Sequence, residues 1–155
     1  MLTLDTVKFW FPREFIDEKH FQAQVQNSTY IITGRNDGIN ETFGYTLNKD
    51  KLTTRDRLGL NDIRVNDEQV IIRMSAKILK SDYYKLLSKD TFVQALENIN
   101  ATGCIKIDIP NAIAYGTFIT LDATRDFIAS SPEQAQDIIS LIPQFIKRTT
   151  AKGIF

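Results

Sequence analysis

Residues 61–77, NDIRVNDEQVIIRMSAK, hold two β-rich runs separated by a very short junction. Along the second run, 68–77, apolar side chains alternate with largely polar ones, which is typical of a strand with one buried face. Asn66-Asp67 at the junction favours a tight turn, so the stretch predicts an antiparallel β-hairpin. The polar face of its second strand carries Arg73, Ser75 and Lys77.

Further β-rich runs lie on both sides of this hairpin. The first, Leu2–Phe11, is dense in apolar and β-branched residues and ends at Pro12. Asp37-Gly38 can form the turn of a second hairpin. The other predicted strands are Ser28–Gly34 with its partner Thr42–Leu47, Cys104–Ile109 and Tyr115–Phe127.

Helical patterns separate these runs, while the polar segment Lys49–Leu60 is predicted to be a loop. The predicted helices are a short one within Arg13–Gln26, one from Ser88 to Gly103, and one that begins at Ser131. We therefore predict an α+β fold, in which two or three helices pack mainly on one face of an antiparallel sheet. With 155 residues and no linker of low complexity, the chain is predicted to be a single domain, 1–155.

Composition narrows the classes of function. Lys and Arg number 19 and Asp and Glu number 19, so a polyanion would have to be met by a local patch of charge. One cysteine and one histidine exclude a disulfide framework and zinc sites built from Cys and His. No apolar run approaches the roughly 18 residues of a membrane span, and we expect a cytoplasmic protein without a membrane partner.

Most single reactive side chains have a structural interpretation. His20 lacks a second histidine and is expected to be structural or on the surface. Cys104 is expected to be a buried apolar thiol. Tyr83 and Tyr84 could include a nucleophile, but the following Leu86 and Leu87 favour a packing cluster.

Acids in the strand 115–127 are the most suggestive candidates, because carboxylates in an apolar strand need a cationic partner. Asp122 and Asp126 lie on one side of an ideal strand about 13 Å apart, too far to chelate one ion together. Either acid could instead lie on a solvated face or pair with Arg73 or Lys77 across the sheet. Basic residues also cluster at Arg73, Lys77 and Lys80, and with Ser75 they would suit phosphate contacts.

In order and spacing, four segments resemble the N-terminal half of replication initiators from filamentous phages and rolling-circle plasmids. They cover about a quarter of the chain and are Leu4–Lys8, Val70–Leu79, a helix near 89–101, and Ile119–Phe127. The resemblance implies a DNA-binding antiparallel sheet and, in a whole initiator, a nick made by a tyrosine with Mg²⁺ or Mn²⁺. It implies Asp122 as the metal-site candidate and places Arg73 and Lys77 near the DNA backbone.

This sequence departs from the family pattern. Ile71 and Ile72 stand where relatives often have a glutamate, and there is no histidine pair, which puts metal binding in doubt. The half that bears the nucleophilic tyrosine is not recognised either, so whether the chain has an enzymatic activity is left open. We expect an N-terminal fragment of a longer initiator or a reduced, non-nicking version.

Two hypotheses of function follow. The first is a domain that binds single-stranded or hairpin DNA through Arg73, Ser75, Lys77 and Lys80, which requires the strand of Asp122 to lie beside the strand of Arg73. The second is a small protein-interaction module of a phage or mobile element without a nucleic-acid role. It is favoured by the neutral net charge and by Phe9-Trp10-Phe11, which must place rings on both faces of a strand.

Overall fold

A computed structural model describes residues 3–27, 31–33 and 44–124, together with residues 131, 133 and 136. The chain divides into two compact units, Met1–Thr124 and Arg125–Phe155, and the helices and strands given below belong to the first. In the second unit, Glu133 and Gln136 have helical backbone, while the rest of the helix predicted from Ser131 lies outside the described residues. The single domain 1–155 stays a prediction.

The first unit contains a six-stranded antiparallel sheet with the order β2-β3-β4-β5-β1-β6. Its strands are β1 Thr3–Pro12, β2 Ile31–Thr33, β3 Tyr45–Leu47, β4 Leu60–Val65, β5 Gln69–Ser75 and β6 Thr117–Thr124. Four strands follow one another as a meander, and the N-terminal strand then lies between β5 and β6. The predicted α+β class and both predicted hairpin pairings are confirmed, although the turn at Asp37-Gly38 lies outside the described residues.

Helices and 3-10 turns fill the connections. The α-helices are α1 Glu18–Asn27, α2 Thr54–Arg57, α3 Phe92–Ala101 and α4 Ile109–Tyr115, and the 3-10 segments are Arg13–Phe15, Lys49–Lys51 and Ala76–Lys85. The prediction of a plain loop over Lys49–Leu60 is wrong, because the Thr53 hydroxyl accepts a hydrogen bond from the Asp56 N–H and caps α2. The prediction of a strand over Cys104–Ile109 is also wrong, since Asp108 caps α4 and Pro110 lies in its first turn.

The core lies against one face of the sheet. Val7, Phe9 and Phe11 of β1 are almost completely buried there, opposite Met74, Ile72 and Val70 of β5. The Phe9 ring meets the ring of Phe92 on α3 edge-on, with 5.0 Å between centroids. Helix α3 therefore covers this face, whereas the packing of the helices as a set on one face stays a prediction.

The β4–β5 turn forms as the sequence predicts. The side-chain oxygen Oδ1 of Asn66 accepts hydrogen bonds from the backbone N–H groups of Glu68 and Gln69, at 3.0 and 2.8 Å. An asparagine that bonds its own following backbone closes a short turn without help from other elements. The turn thus fixes the register of β4 against β5, which places Ile63 opposite Ile72.

Strand β6 is shorter than predicted and contains a β-bulge. Tyr115 belongs to α4, and Asp126 lies outside the described residues. Because Lys8 pairs with Thr120 and the next residue of β1 pairs with Phe118, Ile119 is an extra residue on β6. The bulge turns the Ile119 side chain toward solvent, and the residue is 47% exposed.

Candidate nucleic-acid interface

The sheet face opposite the core is polar and is called the open face. Strand β5 contributes Ile71, Arg73 and Ser75 to it, and these side chains are half-buried or exposed while Val70, Ile72 and Met74 on the other side are fully buried. The prediction that Arg73 and Ser75 share a polar face is confirmed. Across β4, β5, β1 and β6, the outward side chains that form the open face are Thr6, Lys8, Trp10, Asp62, Arg64, Ile71, Arg73, Ser75, Thr120 and Asp122.

Strand pairing arranges these side chains in rows across the sheet. Arg73 is paired with Lys8 of β1 on one side and with Asp62 of β4 on the other. Lys8 is in turn paired with Thr120 of β6. Paired residues have Cα atoms about 4.5 to 5.5 Å apart, so the two cations are immediate neighbours in the middle of the open face.

A shallow depression of about 360 Å³ lies over these rows. Its wall includes both neighbouring cations, Lys8 and Arg73, and the carboxylates Asp62 and Asp122. Arg64, Thr6 and Thr120 also line it, and the Thr6 hydroxyl donates a hydrogen bond to Asp5 Oδ2 at 3.4 Å. The open face is therefore a recessed surface of mixed charge, with its cations at the centre.

The cations of the open face differ in whether an acidic side chain forms an ion pair with them. Asp62 bonds to Arg64, with 2.8 Å between Oδ2 and Nε, although the residue directly opposite it is Arg73. Within residues 3–27, 31–33 and 44–124, Lys8 and Arg73 have no hydrogen bond or ion pair from their side chains. Two adjacent cations without a counter-ion repel each other and attract an anion.

Asp122 lies on the same face but not beside Arg73. It pairs with Thr6 of β1, and β1 separates β6 from β5, so the arrangement of these two strands on which the DNA hypothesis was first built is wrong. A DNA site on this face would have to be formed by β5 together with β1, whose Lys8 is paired with Arg73. Three cations, Lys8, Arg64 and Arg73, share the depression with Asp122, and their charge opposes the binding of a divalent metal ion there. In the described part of the chain, no three His, Cys, Asp or Glu side chains are grouped to hold an ion. The Mg²⁺ or Mn²⁺ site at Asp122 stays a prediction.

Trp10 lies one row from the cations, opposite Ile71. Its indole N–H donates a hydrogen bond to the Gln69 side-chain oxygen on β5. This bond links the indole of β1 to the neighbouring strand β5. Trp10 is half-buried, whereas Phe9 and Phe11 on either side of it are buried in the core.

Two predicted DNA contacts lie away from this face. Strand β5 ends at Ser75, so Lys77 belongs to the following 3-10 segment and the prediction that it continues the strand is wrong. Lys80 lies further along that segment with a φ of 59°, and its Nζ is 4.0 Å from Asp56 Oδ1. Ala76 and Ile78 continue the alternation of apolar residues beyond Ser75. The sequence pattern therefore gives no sign that the strand ends at Ser75.

The other candidate groups have the following environments. The His20 ring is hydrogen-bonded to the Gly103 carbonyl, with Nε2 at 2.7 Å, which confirms a structural role. Cys104 is buried as predicted, and burial raises the pKa of its thiol to about 11. Of the two structural roles expected for Tyr83 and Tyr84, a place in the core is wrong, because both residues are more than half exposed, and a place at an interface stays a prediction.

Sequence reasoning did not place Thr6, Lys8 and Trp10 in the proposed DNA site, although Phe9-Trp10-Phe11 was expected to put rings on both faces of a strand. The alternation in residues 6–11, where every second residue is buried, was the signal that could have identified them. This alternation is a weak signal in the sequence, because Trp10 is as apolar as Phe9 and Phe11.

No protein-family model, no curated protein and no solved structure matches the chain. Among the helices that the structure describes, none is long and apolar enough to cross a membrane.

Proposed function

We propose that this chain is a DNA-binding domain that contacts the sugar–phosphate backbone through its open face. The observation that carries the proposal is the pair Lys8 and Arg73, adjacent on neighbouring strands and without counter-ions in the described chain. Such a pair suits a phosphate, because lysine and arginine supply most protein contacts to nucleic-acid backbones. A chain of zero net charge has no global attraction for DNA, so this local pair has to supply it.

Hydroxyl groups around the cations support the same ligand. Thr6 pairs with Ser75 on one side of the Lys8–Arg73 row, and Thr120 extends that row on β6. Serine and threonine hydroxyls commonly donate to phosphate oxygens beside a cation. Ser75 thus keeps its proposed role, whereas Lys77 and Lys80 lie outside this surface and are at most peripheral contacts.

The rest of the proposal comes from the resemblance to rolling-circle initiators. We propose that the chain binds single-stranded or hairpin origin DNA and does not nick it on its own. A cytoplasmic location belongs to the same proposal, since replication takes place there and the lone thiol needs no oxidising compartment. The proposal concerns binding and assigns no catalytic residue.

A salt titration of DNA binding tests the proposal. Fluorescence anisotropy of labelled single-stranded and hairpin oligonucleotides, between about 50 and 200 mM salt, should show affinity that falls with a log–log slope near −1.4 for two contacts on a single strand. Lys8→Ala and Arg73→Ala should each weaken binding about tenfold, as expected for a charged hydrogen bond.

Matched controls use exposed cations elsewhere. Lys19 on α1 and Arg55 on α2 are exposed and have no ion pair in the described chain, so Lys19→Ala and Arg55→Ala remove the same charges from other surfaces. These variants should bind as the wild type does. Undetectable binding at about 50 mM salt, or equal losses in all four variants, would rule out the open face as the DNA site.

One observation favours the second candidate function, a protein-interaction module. Four apolar side chains near the α4–β6 connection are exposed, between 38% and 64%: Ile113, Tyr115, Phe118 and Ile119. Exposed apolar patches often mark protein contacts. Sedimentation equilibrium over a concentration series tests self-association, and loss of it in Ile119→Lys, together with no DNA binding, would replace the first proposal by this one.

A further inference from the structure

The indole of Trp10 is held in a fixed orientation on the open face. Its N–H bonds to Gln69, a residue of β5, so the ring extends from β1 over the neighbouring strand. Trp10 is half-buried, so part of its ring is accessible to solvent on this face.

The indole of Trp10 has no aromatic or cation–π contact in the described part of the chain. The described aromatic contacts of β1 are made by Phe9 and Phe11, whose rings belong to the core side. Neither described cation–π pair involves Trp10, and no further ring contact is formed by it there. An indole face available beside unpaired cations is a combination that single-stranded nucleic acids recognise, by stacking a base and pairing its phosphate.

The distance between the ring and the cations fits one nucleotide. Trp10 and Ile71 form one row of the open face, and Lys8 and Arg73 form the next, two residues along the strands. Two residues of a strand span about 6.6 Å, which is the scale of the separation between a base and the phosphates of its own nucleotide. Asp122 is opposite Thr6 in the pairing of β6 with β1, two residues along β1 from Lys8 and on the side away from Trp10, so it does not lie on this path.

We infer that the open face takes single-stranded DNA, with one base stacked on Trp10 and an adjacent phosphate held by Lys8 and Arg73. The inference rests on the proposed function and specifies its ligand. A duplex is a poorer ligand because its bases are stacked on one another and cannot reach the indole without unpairing. The recognition is indifferent to sequence, since every base has a π-face.

Trp10 is the single tryptophan of the chain, so intrinsic fluorescence reports this site directly. The experiment titrates the full chain with an oligothymidylate of about eight nucleotides and with an abasic oligomer of the same length, a size within the range of single-strand sites. Affinity is followed in parallel by anisotropy of end-labelled oligomers. Oligothymidylate should quench most of the tryptophan emission at saturation, whereas the abasic oligomer should bind more weakly and leave the emission nearly unchanged.

Variants separate stacking from structural support. Trp10→Leu should weaken oligothymidylate binding about fivefold or more, the effect expected for one stacked base, and should not change the affinity for the abasic oligomer. Trp10→Phe keeps an aromatic face and should recover most of the loss. If Trp10→Leu does not fold, the fluorescence of the wild type still decides, because that readout needs no substitution.

The outcomes distinguish this inference from the proposed function. Equal affinity for both oligomers without quenching overturns the stacking on Trp10 and leaves backbone binding intact. Duplex binding as tight as single-strand binding overturns the choice of ligand. If neither oligomer binds, the proposed function fails and the inference fails with it.

Discussion

Asp62 lies directly opposite Arg73 in the pairing of β4 with β5, yet its carboxylate bonds to Arg64 on its own strand at 2.8 Å. Arg64 therefore keeps an acid from neutralising a central cation of the open face. A salt bridge on a surface contributes little to stability, so its effect here is on the charge available to a ligand.

Replacement of Arg64 should test this arrangement. In Arg64→Ala, Asp62 is free to pair with Arg73, and we expect single-stranded DNA to bind about tenfold more weakly, as if Arg73 itself were lost. The double variant Arg64→Ala/Asp62→Asn should recover most of that affinity, because the competing carboxylate is gone. Anisotropy titrations of the two variants measure this coupling. Equal affinities in the single and the double variant would show that Asp62 does not compete.

Asp122→Asn distinguishes charge repulsion from metal binding. Because the carboxylate shares a depression with the proposed phosphate contacts, its neutralisation should raise DNA affinity by about twofold to fivefold, the scale of an exposed charge interaction. Titrations with and without Mg²⁺ should show the same gain. A loss of affinity seen only with Mg²⁺ would instead support the metal site that the resemblance implies.

Gly59→Ala should be severely destabilising. Gly59 has a φ of +81°, and an added Cβ would lie 2.0 Å from the backbone nitrogen of Ile78. Strain and overlap together should cost about 3 kcal/mol or more in the free energy of unfolding. Urea denaturation measures this change.

Gly103→Ala is the matched control for that substitution. Gly103 has a similar φ of +78°, but no atom lies within 4 Å of a built Cβ. It should lose only about 1 to 2 kcal/mol, the cost of the left-handed conformation. Similar losses in both variants would show that the overlap at Gly59 is relieved by a small backbone shift.

The ion pair of Arg13 and Glu18 should make stability depend on pH. The hydrogen bond from Arg13, 2.6 Å from Glu18 Oε1, lowers the pKa of that carboxyl. A lowered pKa in the folded state gives stability that is present above the ordinary value of about 4.3 and is lost as pH falls through the lowered pKa. Since half of the Glu18 side chain is exposed, the contribution should stay below about 1 kcal/mol.

Urea denaturation of the wild type and Glu18→Gln, at about pH 7 and about pH 3, checks this dependence. The wild type should be more stable than the variant at the higher pH, and the difference should shrink at the lower one. A difference of the same size at both pH values would come from packing rather than from charge.

Sequence patterns predicted the elements with a strong local signal. The β4–β5 hairpin follows from alternation and from the turn at Asn66, and α3 follows from its apolar stripe. The α4 helix was missed although Asp108 and Pro110 form a recognisable helix start, because the preceding residues have weak strand-like alternation.

Half of the candidate site depends on long-range pairing, which no local pattern encodes. Arg73 and Ser75 were identified from their own strand, but Lys8 joins them only because the N-terminal strand pairs with β5 rather than with a sequence neighbour. The same pairing separates Asp122 from Arg73. Lys80 lies outside the open face, and its Nζ is 4.0 Å from Asp56 Oδ1. This contact likewise depends on tertiary structure.

The extra residue at Ile119 has a consequence for how copies of this protein behave toward one another. An outer strand with regularly spaced amide and carbonyl groups is a template for another copy, and repeated addition leads to fibrils. The bulge at Ile119 interrupts this regular spacing. A second chain paired with β6 would therefore lose its hydrogen-bond register at that point. The bulge thus makes β6, which has a described neighbour on one side only, a poorer template for a second copy than a regular strand would be.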